Sequence, residues 1–281
     1  MLSVTDLMTC EFCPRKLFLT KVLGWKVPEK AVMVRGSAIH KVFEEIALCE
    51  KEVVLSIRPD TDKDTVKEEY CLAYVDAAKR AILSQEERLG KFNLAPEEIL
   101  DSVRSAVEQE AHDRADNTLA LIDSKHVFGD ELWKLVTPKI LPEKWISSDG
   151  LGVRGIIDRI EIYDDKAVPI EIKSGAAPRE GAWPNHRLQL VAYSLLMKEE
   201  YPKVADYGFA IYLDDVHPRK IIFNPFMELE MTRLIERSKR ITESTEPPTH
   251  IKDKKKCDMC DLKQGCYDTV SVMAEVENLK N

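Results

Sequence analysis

Cys257, Cys260 and Cys266 form a C-x2-C-x5-C run near one end of the chain, and Cys10 and Cys13 stand near the other. Thiolates at such spacing ligate iron–sulfur clusters or structural zinc, and a full set of four needs one ligand more than the run provides. Cys13, in Cys-Pro-Arg-Lys, and its rival Cys10 are the candidates for that ligand. A centre built from both ends would clip them together and turn binding energy into folding energy. Cys49 and Cys71 fall in helical patterns and read as small core residues.

A second group lies between those ends. Asp158 closes Gly-Ile-Ile-Asp, and Glu171 and Lys173 frame Glu-Ile-Lys, on two strand-like segments joined by a turn at Asp164-Asp165. Side chains at i and i+2 of a strand share a face, so Glu171 and Lys173 point together while Ile172 points into a core. Asp158 on the partner strand can lie opposite them. Two adjacent carboxylates repel unless a cation or a proton sits between them. Mg2+ and Mn2+ take such oxygen ligands, and a nitrogen from His40 shifts the preference towards Mn2+. That chemistry suits phosphodiester hydrolysis, with Lys173 orienting water or stabilising developing charge. An isolated E-x-K is also an ordinary cross-strand ion pair. Here it follows Val168-Pro169-Ile170, apolar enough for a central strand.

The remaining histidines, His112, His126, His186, His217 and His250, have no motif around them and read as surface or structural. Arg15, Lys16, Arg35, Arg154 and Arg187 lie near these motifs and are candidate phosphate contacts, each weighed against a solvated charge. Lys252 and Lys254 to Lys256 form a basic run before Cys257. Trp25 and Trp183 could stack on unpaired bases or simply pack in a core.

The elements that must position these residues follow from periodicity. Ser3 to Leu23 reads as helix broken at Pro14. Ser37 reads as the N-cap of a helix whose apolar stripe is Ile39, Val42, Phe43, Ile46 and Ala47. Asp62 to Lys125 is rich in helix formers, and Gly90 and Pro96 divide it into two long helices. Strand patterns begin near Lys139 and lead to a hairpin, Val153 to Ile162 and Ala167 to Ile172. A helix over Leu188 to Met197 follows. Strands over Tyr207 to Leu213 and Lys220 to Phe223, joined at Asp214 to Pro218, precede a helix over Phe226 to Thr242. Pro247-Pro248 then opens the cysteine-rich tail. The expected fold is a mixed α/β sheet flanked by helices with a helical insertion ahead of it. The expected segments are 1–61, helical with the first cysteine ligand and His40; 62–136, the insertion; 137–246, the catalytic core; and 247–281, the cysteine segment.

The 281 residues carry a net charge of −8, with 44% hydrophobic and 32% charged residues. This is a globular composition; the charge argues against a generally basic coat but not against a basic groove. No apolar run approaches membrane-spanning length, so no membrane partner is expected. The first residues lack a signal pattern, which implies a cytoplasmic protein whose seven cysteines are ligands or thiols, not disulfides.

Gly36-Ser-Ala-Ile-His40, Gly155-Ile-Ile-Asp158, Glu171-Ile-Lys173 and Gln189-Leu-Val-Ala-Tyr193, in that order, resemble the RecB-like branch of the PD-(D/E)xK nucleases. With the flanking cysteines, the chain is similar to the CRISPR-associated RecB-like exonucleases that carry a [4Fe-4S] cluster. The resemblance runs from about Ser3 to Cys266. It implies a restriction-endonuclease-like core whose catalytic Mg2+ or Mn2+ is held by His40, Asp158, Glu171 and the Ile172 carbonyl, with Lys173 as catalytic lysine. Gln189 and Tyr193 would support the site and contact DNA. The cluster would sit on Cys13, Cys257, Cys260 and Cys266, with Cys13 preferred to Cys10 because it directly precedes Pro14-Arg15.

The implied function is metal-dependent exonucleolysis of single-stranded DNA or overhangs. The implied partners are DNA and either CRISPR integrase proteins or a helicase, with an oligomer left open; the sequence shows no P-loop of its own. The stretch from His40 to Asp158 is longer than in compact members. It leaves open whether the role is spacer acquisition or stand-alone DNA end processing. The alternative is a DNA-end-binding adaptor of an integrase or repair complex with weak or no cleavage.

Overall fold

A computed structural model describes residues 1–279 of the chain. In chain order the helices are α1 Val4–Phe12, α2 Pro14–Lys21, α3 Ala31–Ser56, α4 Lys63–Leu83, α5 Glu86–Gly90, α6 Pro96–Lys125, α7 Gly129–Leu135, α8 Pro184–Met197, α9 Pro225–Glu243, α10 Lys254–Asp258, α11 Lys263–Tyr267 and α12 Thr269–Asn278. The strands are β1 Leu2–Ser3, β2 Lys139–Ser148, β3 Val153–Ile162, β4 Ala167–Lys173, β5 Tyr207–Tyr212 and β6 Asp215–Ile222. They form one mixed sheet in the order β1-β3-β4-β5-β6, with β2 on the other edge of β3. This is the expected α/β sheet flanked by helices. None of the described helices is long and apolar enough to cross a membrane.

Two large cores and a small cluster of Val168, Ile170 and Ala205 pack on the sheet. One packs Leu7, Leu17 and Phe18 of α1 and α2, Val191 and Leu196 of α8, and Met231 and Leu234 of α9 against Ile146, Ile157 and Ile160 of the sheet. The other is helical. Tyr70 and Tyr74 of α4, Val103 and Val107 of α6 and Leu132 of α7 pack on Val42 and Val54 of α3, and Ile172 of β4 joins them. The inserted helices therefore share their core with α3 and with the strand that carries Glu171 and Lys173. Buried ion pairs tie the same layers together. Arg114 of α6 meets Glu50 of α3 at 2.5 Å, and Arg159 of β3 holds Glu110 of α6 through both terminal nitrogens at 2.9 Å.

The structure departs from the sequence-based expectations in three places. Ser37 is not a helix N-cap. α3 begins at Ala31, because Val34 extends the apolar stripe of Ala38 and Val42 by a further turn, and the Ser37 hydroxyl accepts from Arg88 at 3.1 Å instead. β2, β3 and β4 form a three-stranded meander rather than a single pair. The β5–β6 turn is tighter than Asp214 to Pro218. Tyr212 already faces Asp215, and Pro218 sits on the edge strand, where its missing N–H costs no ladder bond. β1, two residues parallel to β3, is too short to show in any periodicity.

Candidate active site and cysteine cluster

Asp158 and Glu171 stand where two strands part. The β3–β4 ladder ends at Arg159↔Ile170, and the next residues outward are Asp158 and Glu171. Asp158 is fixed there by the Ile172 N–H, which donates to its Oδ2 at 2.8 Å. Glu171 is fully buried. Its carboxylate is in ion-pair contact with the Lys173 ammonium and lies beside the Tyr193 hydroxyl. As the strand period requires, Ile172 points away into the helical core.

α3 brings His40 over this fork. Its Nδ1 stands 3.4 Å from Asp158 Oδ1 and 3.3 Å from Glu143 Oε1. Ligand atoms of His40, Glu143 and Asp158 all lie within 4.8 Å of one another. Glu143 was not anticipated. The β2–β3 register pairs Pro142 with Arg159 and Lys144 with Ile157, which leaves Glu143 facing Asp158 at a break in the ladder. Its φ of 44° lies in the left-handed region, which non-glycine residues rarely adopt and which clusters at functional sites. Pro142, inside a strand, was the one sequence signal of that irregularity.

From α8, Gln189 Nε2 donates to the Tyr193 hydroxyl at 2.7 Å, and Tyr193 is buried beside the carboxylates. Gly155 makes room for that ring. A Cβ there would lie 3.5 Å from Tyr193 Cε1, 3.4 Å from Leu196 Cδ1 and 3.0 Å from Val4 Cγ2. His186, which the sequence placed among surface or structural residues, lies close to the site. Its Nδ1 and the Tyr212 hydroxyl are 2.8 Å apart.

The electrostatics follow from crowding. Burial first, then the Glu171 charge, push the Asp158 carboxyl well up; His40, Lys173 and the Ile172 N–H offset only part of this. Burial pulls His40 down, but Glu143 and Asp158 outweigh it and the imidazole rises. Burial likewise opposes the Lys173 ammonium, and Glu171 and Asp158 more than restore it. His186, by contrast, is lowered to about 4 by burial and by Lys173. Burial and the two carboxylates raise the Tyr193 phenol. Two buried carboxylates, with His40 and Glu143 beside them, offer the oxygen and nitrogen donors a divalent cation takes.

A model of the PD-(D/E)XK nuclease superfamily matches residues 1–267. The chain belongs to this superfamily. It is 26% identical over 125 residues to a CRISPR-associated exonuclease Cas4/endonuclease Cas1 fusion of Myxococcus xanthus, over 43% of this chain and 22% of that protein. A fusion of the same description from Leptospira interrogans is 29% identical over 125 residues, covering 43% of this chain and 23% of the relative. The Arabidopsis thaliana DNA replication ATP-dependent helicase/nuclease JHS1 is 38% identical over 71 residues, 22% of this chain and 5% of that protein. The chain thus spans less than a quarter of each of these relatives.

Cys13, Cys257, Cys260 and Cys266 line a single cavity, with Lys16, Lys256 and Lys263 also on its walls. Cys10 does not line it; its side chain is fully buried in the core under the sheet. Protein contacts bind the same two ends. Arg15 donates to the Pro248 and Cys266 carbonyls at 2.8 and 3.4 Å, and Trp25 Nε1 donates to Glu275 at 2.7 Å. Arg15 is thereby buried in a structural role, not presented to a phosphate. His250 stacks on Tyr267 beside the cysteines, with ring centroids 4.5 Å apart.

Proposed function

We propose that the protein is a metal-dependent DNA exonuclease acting on single-stranded DNA or overhangs, with a [4Fe-4S] cluster between its two ends. The observation that carries the nuclease reading is Glu171. It is a fully buried carboxylate whose charge is met by the paired Lys173 ammonium, beside Asp158 and His40. In this reading His40, Glu143, Asp158 and Glu171 hold Mg2+ or Mn2+, with the Ile172 carbonyl as a further donor. When bound, the cation polarises a phosphate oxygen and lowers the pKa of a coordinated water. The protein's own groups do the rest. The Ile172 N–H keeps Asp158 in place, and the Lys173 ammonium, charged because Glu171 and Asp158 hold it so, stabilises negative charge on the phosphate oxygens. Gln189 donates to the Tyr193 hydroxyl, and the phenol keeps its proton beside the carboxylates.

The cluster reading rests on the convergence of four thiols with three lysines on one cavity. A thiolate-ligated iron–sulfur centre is anionic, and ammonium groups around it offset that charge. The fusion relatives suggest an integrase as partner and the helicase/nuclease relative suggests a motor. We place the activity in CRISPR spacer acquisition or DNA end processing on that basis. The test is degradation of oligonucleotides labelled at either end, titrated with Mn2+ and Mg2+. Cation-dependent loss of nucleotides from one end is the expected result. DNA binding with no hydrolysis at any cation concentration would favour an end-binding adaptor.

A further inference from the structure

β3 is paired with β2 along nearly its whole length, but its opposite edge is interrupted. β1 pairs only with Val153 and Arg154, and β4 takes over at Arg159. Beside the gap between these pairings lies an open groove of about 300 Å³, lined by Ser3, Trp145, Arg154, Gly155, Ile156 and Tyr193. Tyr193, which lines the groove, feels the charges of Glu171 and Asp158. Trp145 and Ile156 give the groove an apolar shelf. Trp145 and Ile156 face one another directly across the β2–β3 ladder, and both are about half exposed, at 54% and 51%. Arg154, exposed beside them, has no ion pair or side-chain hydrogen bond among the described residues.

An indole held rigidly on a sheet, flanked by an aliphatic side chain and an unpaired guanidinium, is poorly explained as a solvated surface, because large exposed apolar residues are usually scattered singly. It has the composition of a base-stacking platform: a flat aromatic face for a nucleobase and a cation for the adjoining phosphate. A duplex keeps its bases stacked on one another and offers none to an indole on a sheet face. We infer that Trp145, Ile156 and Arg154 form a single-stranded DNA subsite. An unpaired base stacks on Trp145 and Arg154 engages a backbone phosphate, in a groove whose wall includes Tyr193. The inference rests on the nuclease reading and specifies its substrate as an unpaired strand.

The test uses the full-length protein, a fluorescently labelled oligothymidylate and Ca2+ in place of the catalytic cation. Trp145→Ala should weaken binding by about tenfold or more, and Trp145→Phe should restore most of it. Arg154→Gln should weaken binding and flatten its salt dependence. A blunt duplex should be little affected. Circular dichroism and melting temperature should be unchanged in all three variants, which shows that they are folded. Wild-type affinity for oligothymidylate in Trp145→Ala would overturn the subsite. So would an effect of Trp145→Ala confined to self-association, which would assign the shelf to contact between copies. Trp145-dependent binding by a wild-type protein that hydrolyses no phosphodiester would support the subsite while overturning the nuclease reading.

Discussion

His40 Nδ1 lies 3.3 Å from Glu143 Oε1, a carboxylate 103 residues further along the chain. The contact joins α3 to an irregular point of β2 and completes a three-residue group with Asp158. It also gives the left-handed backbone at Glu143 a purpose, since that conformation turns the carboxylate to face the histidine.

Glu143→Gln should therefore weaken cation binding more than it disturbs the fold. The Mn2+ concentration giving half-maximal cleavage should rise roughly 10- to 100-fold, the usual loss when one group supporting a metal site is removed. A cation titration at fixed oligonucleotide concentration reads this directly. An unchanged midpoint would exclude Glu143 from the site.

Asp158→Asn should abolish cleavage and yet stabilise the metal-free protein. The folded-state pKa of Asp158 is raised, chiefly by burial. Its contribution to stability is thus complete below the ordinary carboxylate range and is lost as pH rises towards the raised value. Asparagine retains an acceptor for the Ile172 N–H without the charge. In chelator at neutral pH the variant should gain on the order of 1 kcal/mol, or roughly 2–4 °C in Tm for a domain of this size. The difference should shrink on acidification. Calorimetry across a pH series checks both statements; a variant that melts below wild type at neutral pH contradicts them.

Lys173→Ala should separate rate from binding. If the ammonium acts on developing charge, single-turnover cleavage should fall by about 100- to 1000-fold while the Kd for DNA in Ca2+ stays within a few-fold of wild type. Equal losses in both would make Lys173 a partner of Glu171 and nothing more.

For the cysteines, Cys13→Ala, Cys257→Ala, Cys260→Ala and Cys266→Ala should each yield colourless, poorly soluble protein, with activity lost secondarily. Cys10→Ala, Cys49→Ala and Cys71→Ala should remain coloured, since Cys10 packs in the sheet core and burial raises the Cys49 thiol to about 11. Arg15 and Trp25 also tie the two ends, so secondary structure should survive loss of one ligand. Iron and sulfide analysis of anaerobically purified protein is decisive. Stoichiometric zinc without iron would replace the cluster with a structural zinc site.

What the sequence determined by itself was whatever a short-range period governs. The two-residue period of a strand set Glu171 and Lys173 on one side and Ile172 on the other, and the structure has them so. The Asp164-Asp165 turn fixed the hairpin that brings Asp158 to the same fork. Gln189 and Tyr193, which the resemblance put together, lie one helical turn apart and are joined by a hydrogen bond. Tertiary structure decided the rest, because those relations join segments whose separation carries no periodic signal. Glu143 enters only through the register of β2 on β3. Cys13 rather than Cys10 lines the cysteine cavity because α1 ends at Phe12, which buries Cys10 against the sheet and leaves Cys13 at the break before α2. The start of α3 was misplaced because a serine beside an apolar stripe resembles a cap locally. The stripe's continuation to Val34 counts only once the inserted helices are there to cover it.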